Sequence, residues 1–126
     1  MEMKGVRSGH YFSDRIARLF NVGHVDFTRT DSGGNPTVHF EYLAQDLLIP
    51  MGSLMVQGIE NLCVSGRCIF VDPEVFGYIR TQTACFATGQ AAGTLATLAS
   101  RGEGRIREVP VRAVQQALMA DGIELG

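Results

Sequence analysis

A chain of 126 residues suffices for one domain with a modest core. With 45% hydrophobic and 19% charged residues it reads as globular rather than disordered. Lys and Arg number 11 against 13 Asp and Glu, a net charge of −2, which excludes a basic nucleic-acid stripe and a polybasic membrane anchor.

No apolar run reaches transmembrane length, since the longest, Ala84 to Ala99, is crossed by Thr88, Gln90 and Thr94. The opening "MEMKGVRSGHYF" lacks the apolar core of a signal peptide. Cys63, Cys68 and Cys85 make an odd count, which argues against a disulfide framework and for reduced thiols. A cytoplasmic location is the resulting expectation.

In chain order, Ser13 is placed to cap a short helix through about Phe20, with Ile16, Leu19 and Phe20 on one face. Two alternating runs follow, Val25/Phe27/Arg29 and Val38/Phe40/Tyr42, around a Gly-Gly-Asn-Pro turn. They predict a β-hairpin with one apolar and one polar face. Pairing Thr30 with Thr37 sets His24 opposite Leu43 and His39 opposite Thr28. Residues 46–62 read as a partly extended connector, with Pro50 biasing Ile49 away from helix. Leu62–Val64 is a candidate buried strand ending at Ser65-Gly66, and "VDPEVFG" reads as a loop. A long helix is predicted from about Tyr78 to Ser100, with Gly102 as its C-cap candidate. Pro110 opens a last helix stopped by Gly122, and "IEL" is a candidate closing strand.

The stretch "TACFATGQAAGTLATLA" is unusual: one aromatic, no charge, and a predominance of Ala, Gly and Thr. Cys85, Thr88 or Gly89, Ala92, Ala96 and Ala99 fall on one helical face. Each interior Gly costs roughly 1 kcal/mol relative to Ala, so Gly89 and Gly93 predict close packing against a sheet, a helix or a cofactor. Free N–H groups at the start of this helix attract electron-rich ligand atoms. Gly66 and Gly77 permit close approach, and Arg67 and Arg80 supply cationic donors. Ordinary surface arginines, paired with Asp72 or Glu74, are the plainer reading of both.

Three widely spaced cysteines do not make an iron–sulfur motif, and His10, His24 and His39 are too scattered for a metal triad. The thiols are read as buried structural groups and the histidines as solvated or hydrogen-bonded. One histidine or Tyr42 as a substrate-pocket acid or base remains an open alternative.

Three stretches together, "IPMGSL", "GIENLCVSGRCIF" and "GYIRTQTACFATGQAAGTLA", resemble the C-terminal segment of the FAD-dependent oxidoreductase family. That family includes flavoproteins related to the A subunit of heterodisulfide reductase. The residues carrying the likeness are Ile49, Pro50, Ser53 and Leu54, then Gly58 to Cys68, then Gly77, Arg80, Cys85, Ala87 and Gly89 to Gly93. The resemblance spans roughly Tyr11 to Leu125. It implies FAD as cofactor, with Gly66, Arg67, Gly77, Arg80, Thr81 and Thr83 near it. It leaves the catalytic group unassigned, and no motif in this sequence assigns a metal.

The family's principal FAD grip is a Gly-x-Gly-x-x-Gly turn between a strand and a helix. This sequence contains none, because "GEGRIR" lacks the third Gly and follows a helix. The expected fold class is therefore α+β, or partial α/β. A hairpin-bearing substrate-side segment and connector (1–57) would join a strand–long helix unit of an incomplete Rossmann-like FAD domain (58–126). The expected function is the FAD-contacting C-terminal portion of an oxidoreductase, inactive alone. A partner chain or self-association would cover the small-residue helix, and the substrate would be a small molecule. The rival reading is a non-catalytic assembly module or remnant that binds a partner chain.

Overall fold

The structure, a computed structural model, describes residues 1, 5–6, 9, 11–26 and 29–126. His10, Phe27 and Thr28, which entered the reading of the sequence, lie outside these. Four strands come first: β1 (Arg15–Leu19), β2 (Gly23–Asp26), β3 (His39–Tyr42) and β4 (Leu47–Pro50). Helices α1 (Pro73–Ile79), α2 (Gln82–Ser100) and α3 (Val111–Ala120) follow, with 3-10 turns at Met51–Leu54, Gly66–Cys68 and Ile106–Glu108. The mixed α+β class agrees with the sequence expectation. No helix among the described residues is long and apolar enough to cross a membrane.

The predicted helix at Ser13–Phe20 is instead β1. Ile16 and Leu19 do fit a helical spacing, but β1 pairs antiparallel with β4, Ala17 opposite Ile49 and Leu19 opposite Leu47, with an irregularity between Arg15 and Ala17. Ile16, Ala17, Leu19, Leu47 and Ile49 are all buried by this pairing. The tertiary partner overrides a weak local preference. Gln115 on α3 donates to the Ser13 and Arg15 carbonyls at 2.9 and 3.0 Å. Arg15 Nε donates to the Leu125 carbonyl at 2.6 Å. That bond draws Leu125 into the core without forming the closing strand predicted for "IEL".

The predicted hairpin is present as β2 and β3, but its register is displaced from the Thr30–Thr37 pairing. His24 stands opposite Glu41, and His39 opposite Asp26. The turn explains the shift: Asp31 accepts from the backbone of Gly33 and Asn35, and the ladder restarts with Thr30 bridging Pro36. The polar face is the one that meets the protein, through His24 against α1, while Phe40 and Tyr42 point away.

Leu62–Val64 is not a strand. Cys63 makes an isolated bridge to Met55, and the Val64 N–H donates to Leu54 O at 2.8 Å. The segment read as a loop at 71–77 holds most of α1, started by Pro73 in its first turn. The long helix begins at Gln82, not Tyr78. Arg80 (ψ 4°) ends α1, and Thr81 (φ −77°, ψ 156°) turns the chain before α2. At the other end of α2, Gly104 (φ +78°), not Gly102, supplies the left-handed residue, and its N–H bonds Ala99 O at 3.0 Å. α3 runs from Pro110 to a stop at left-handed Gly122, as expected.

α2 packs on β1, α3 and the Gly66–Cys68 turn. Its buried side chains are Ala84, Thr88, Ala91, Ala92, Leu95 and Ala99. Leu95 is the only large one, and burying a Leu contributes about 1.5–3 kcal/mol. The remaining contacts come from backbone drawn close by small side chains. The expected face holds at Thr88, Ala92 and Ala99, which are buried, but not at Ala96: Ala96 and Gly93 are exposed, and a Cβ added at Gly89 or Gly93 meets nothing within 4 Å. The two glycines do not serve packing within the described part of this chain.

Candidate functional site

The start of α2 is built by Thr81. Its hydroxyl accepts from the Ala84 N–H at 3.4 Å and lies 3.0 Å from the Thr83 hydroxyl, and its carbonyl accepts from Cys85 N–H. A Thr at this position is a favoured helix cap. The N–H groups of Gln82 and Thr83 have no acceptor among the described residues. They stand at the positive end of a 19-residue helix dipole.

Beside the first turns of α2 lies the Gly66–Cys68 turn. Gly66 is left-handed (φ +60°), and its N–H donates to Thr88 Oγ1 at 2.9 Å. Thr88 Oγ1 in turn donates to Ala84 O at 2.7 Å. One fully buried hydroxyl thus fastens the turn to the helix, accepting one bond and donating another. A Cβ at Gly66 would press on Cys85 Sγ at 3.3 Å. Thr88 did not stand out in the sequence as a fastening residue. The available signal was a β-branched hydroxyl within a run of Ala and Gly, where only a local bond satisfies it.

The six residues expected near the cofactor divide three ways. Gly66, Thr81 and Thr83 sit around the first turns of α2. Arg67 is exposed on the same turn as Gly66, with no hydrogen-bond or ion-pair partner among the described residues. Arg80 is exposed, but its guanidinium donates to Val25 O at 3.2 Å and so holds the outer edge of β2. Gly77 is not at a helix start. It is buried inside α1, where a Cβ would overlap the His24 imidazole. The surface arginine pairs considered with Asp72 or Glu74 do not form.

The three cysteines are free thiols, and they are not uniformly buried: Cys68 is exposed. Burial pushes the Cys63 thiol up, and its Sγ lies 3.7 Å from Ala92 O. No cluster of three metal-ligating side chains occurs among the described residues. His24 is not solvated or hydrogen-bonded at Nδ1 as expected: that atom is buried with no hydrogen-bond partner among the described residues, and the ring lies 5.4 Å from that of Tyr78.

These features make a helix-start corner whose backbone donors and guanidinium are unengaged among the described residues, beside a left-handed Gly turn, a donor set of the kind that attracts electron-rich ligand atoms. The whole-chain comparison gives it a family: the FAD dependent oxidoreductase model matches residues 1–118, so the chain belongs to that family. An FAD-dependent oxidoreductase activity is the family's property. No curated protein and no solved structure gives a significant match.

Proposed function

We propose that this chain is the C-terminal, FAD-contacting portion of an FAD-dependent oxidoreductase. It belongs on the side of the family related to the A subunit of heterodisulfide reductase, and a Gly-rich strand–turn–helix not in this sequence completes it. The observation that carries the reading is the corner itself. Gly66 is pinned by Thr88 beside the N–H groups of Gln82 and Thr83, which have no acceptor among the described residues, and Arg67 on the same turn has no partner among them. This donor set fits the pyrimidine edge of a flavin. It does not supply a pyrophosphate cradle, because the sequence has no Gly-x-Gly-x-x-Gly turn.

FAD, when bound, supplies hydride or single-electron transfer at its isoalloxazine ring. The backbone N–H groups of Gln82 and Thr83 would hold an electron-rich edge of the ring, and the dipole of α2 would favour negative charge there by about 0.3–1 kcal/mol. Arg67, exposed on the neighbouring turn, would add a cationic donor. Arg80, engaged with Val25, sets the position of the hairpin rather than reaching outward. The chain carrying the Gly-rich half would cover the open face at Gly89 and Gly93. The free thiols suit a reducing, cytoplasmic setting.

The same open face favours a second reading, a non-catalytic module that binds a partner chain. Visible spectroscopy separates the two. The purified chain alone is expected to be colourless, and a chain supplying the Gly-rich half is expected to produce a flavin-loaded complex. Arg67→Ala then weakens FAD binding in that complex while leaving the thermal melt of the isolated chain unchanged. A complex that forms but never takes up flavin favours the assembly module.

A further inference from the structure

The β2–β3 hairpin has two outer edges, and among the described residues only that of β2 is covered. The Leu43 N–H donates to Val22 O at 3.0 Å, so in the common register His24/Glu41 and Asp26/His39 are the hydrogen-bonded pairs. The intervening residues therefore turn their backbone groups outward. On β2 that outward carbonyl, Val25 O, is taken by Arg80. On β3 the outward residues are Phe40 and Tyr42. These two residues are 62% and 68% exposed, and Val38 just before them is 56% exposed. No described strand lies on this side of β3.

We propose that the outer edge of β3 pairs antiparallel with β3 of a second copy of this chain, with the two-fold axis at Phe40. Directly opposite residues in an antiparallel pair turn their backbone groups the same way. Outward Val38, Phe40 and Tyr42 must therefore face one another. With Phe40 opposite Phe40, Val38 meets Tyr42 of the second copy in hydrogen-bonded pairs, and the apolar side chains form one continuous stripe. On the other face, His39 meets Glu41 of the second copy, a donor opposite a carboxylate. Other registers fail. Centring on Glu41 would keep Phe40 and Tyr42 hydrogen-bonded, but it sets the two Glu41 carboxylates directly opposite each other in the close, non-hydrogen-bonded pair, and centring on His39 sets Pro36, which has no N–H, opposite Tyr42. Centring on Val38 sets Pro36, which has no N–H, opposite Phe40. Centring on Tyr42 sets Phe40 opposite Ala44, beyond the strand.

The pairing is isologous, so it closes at two copies instead of propagating. It converts an exposed edge, a hazard for uncontrolled aggregation, into a defined contact. Short strands make a small interface, so the dimer is weak and concentration-dependent. The inference does not depend on the flavin reading.

Sedimentation velocity on the full chain over a concentration series tests it. Wild type is expected to pass from monomer to dimer. Phe40→Lys, which sets two cations together at the axis, is expected to weaken the dimer by about tenfold or more. His39→Glu is expected to weaken it as well, and adding Glu41→His to that variant to restore it by exchanging the pair. Circular dichroism and melting verify that each variant is folded; if Phe40→Lys is not, the exchange pair decides. A monomer at every concentration overturns the proposal. So does a dimer that Phe40→Lys leaves intact, or an exchange that restores nothing.

Discussion

Gly77 and His24 occupy one another's space: the imidazole of His24 lies where a side chain on Gly77 would be. This contact, on a buried position of α1, is where the hairpin meets the helical part of the protein. Gly77→Ala is expected to destabilise the chain despite the gain in helix propensity of roughly 1 kcal/mol, because overpacking costs about 1–3 kcal/mol. In a His24→Ala background the same change should become neutral or stabilising. Thermal melts of the four proteins in that cycle give the coupling, and additivity of the two changes would contradict the contact.

Thr88→Val keeps the shape and removes the hydroxyl. The Gly66 N–H then loses its acceptor in a half-buried place, a loss of about 1–3 kcal/mol. Thr88→Ser keeps the hydroxyl and should retain most of the stability. Urea unfolding of both variants measures the difference. Equal midpoints would mean that the turn is held by something other than this bond.

Ala92 and Gly89 were expected to share a packed face, and the structure separates them. Ala92 is buried, so Ala92→Leu should cost about 1–3 kcal/mol. A Cβ at Gly89 meets open space, so Gly89→Ala should stabilise the isolated chain by up to about 1 kcal/mol. Melting temperatures moving in opposite directions are the expected outcome.

The hairpin turn has an acid-sensitive element. The Asn35 backbone N–H chiefly, then the Asn35 side chain and the Gly33 N–H, hold the Asp31 carboxyl below its ordinary 3.8. A depressed folded value means the contribution is fully present above the ordinary value. It is lost as pH falls from there through the folded value. Amide exchange at Gly33 and Asn35, corrected for intrinsic rates, should therefore accelerate in acid relative to the rest of the hairpin. Asp31→Ala should abolish that pH dependence.

Much of the architecture follows from local chemistry in the sequence. The Asp-Ser-Gly-Gly-Asn-Pro turn between alternating runs determined a hairpin, and Pro110 and Gly122 bounded α3, because such residues restrict φ or supply left-handed backbone within a few positions. The three stretches between Ile49 and Ala96, taken together, were enough to identify the family. The tertiary structure alone decided the rest. Ser13–Phe20 became a strand because Leu47–Pro50 lies beside it, a partner some thirty residues away that periodicity does not reveal. The hairpin turned its polar face inward because His24 fills the notch at Gly77. α2 began at Gln82 because Thr81 caps it there, which moved Gly77 out of the helix-start corner and left Gly66, Arg67, Thr81 and Thr83 around it. A side chain's type limits the bonds it can make, but only the packed chain decides which neighbour is near enough to make them.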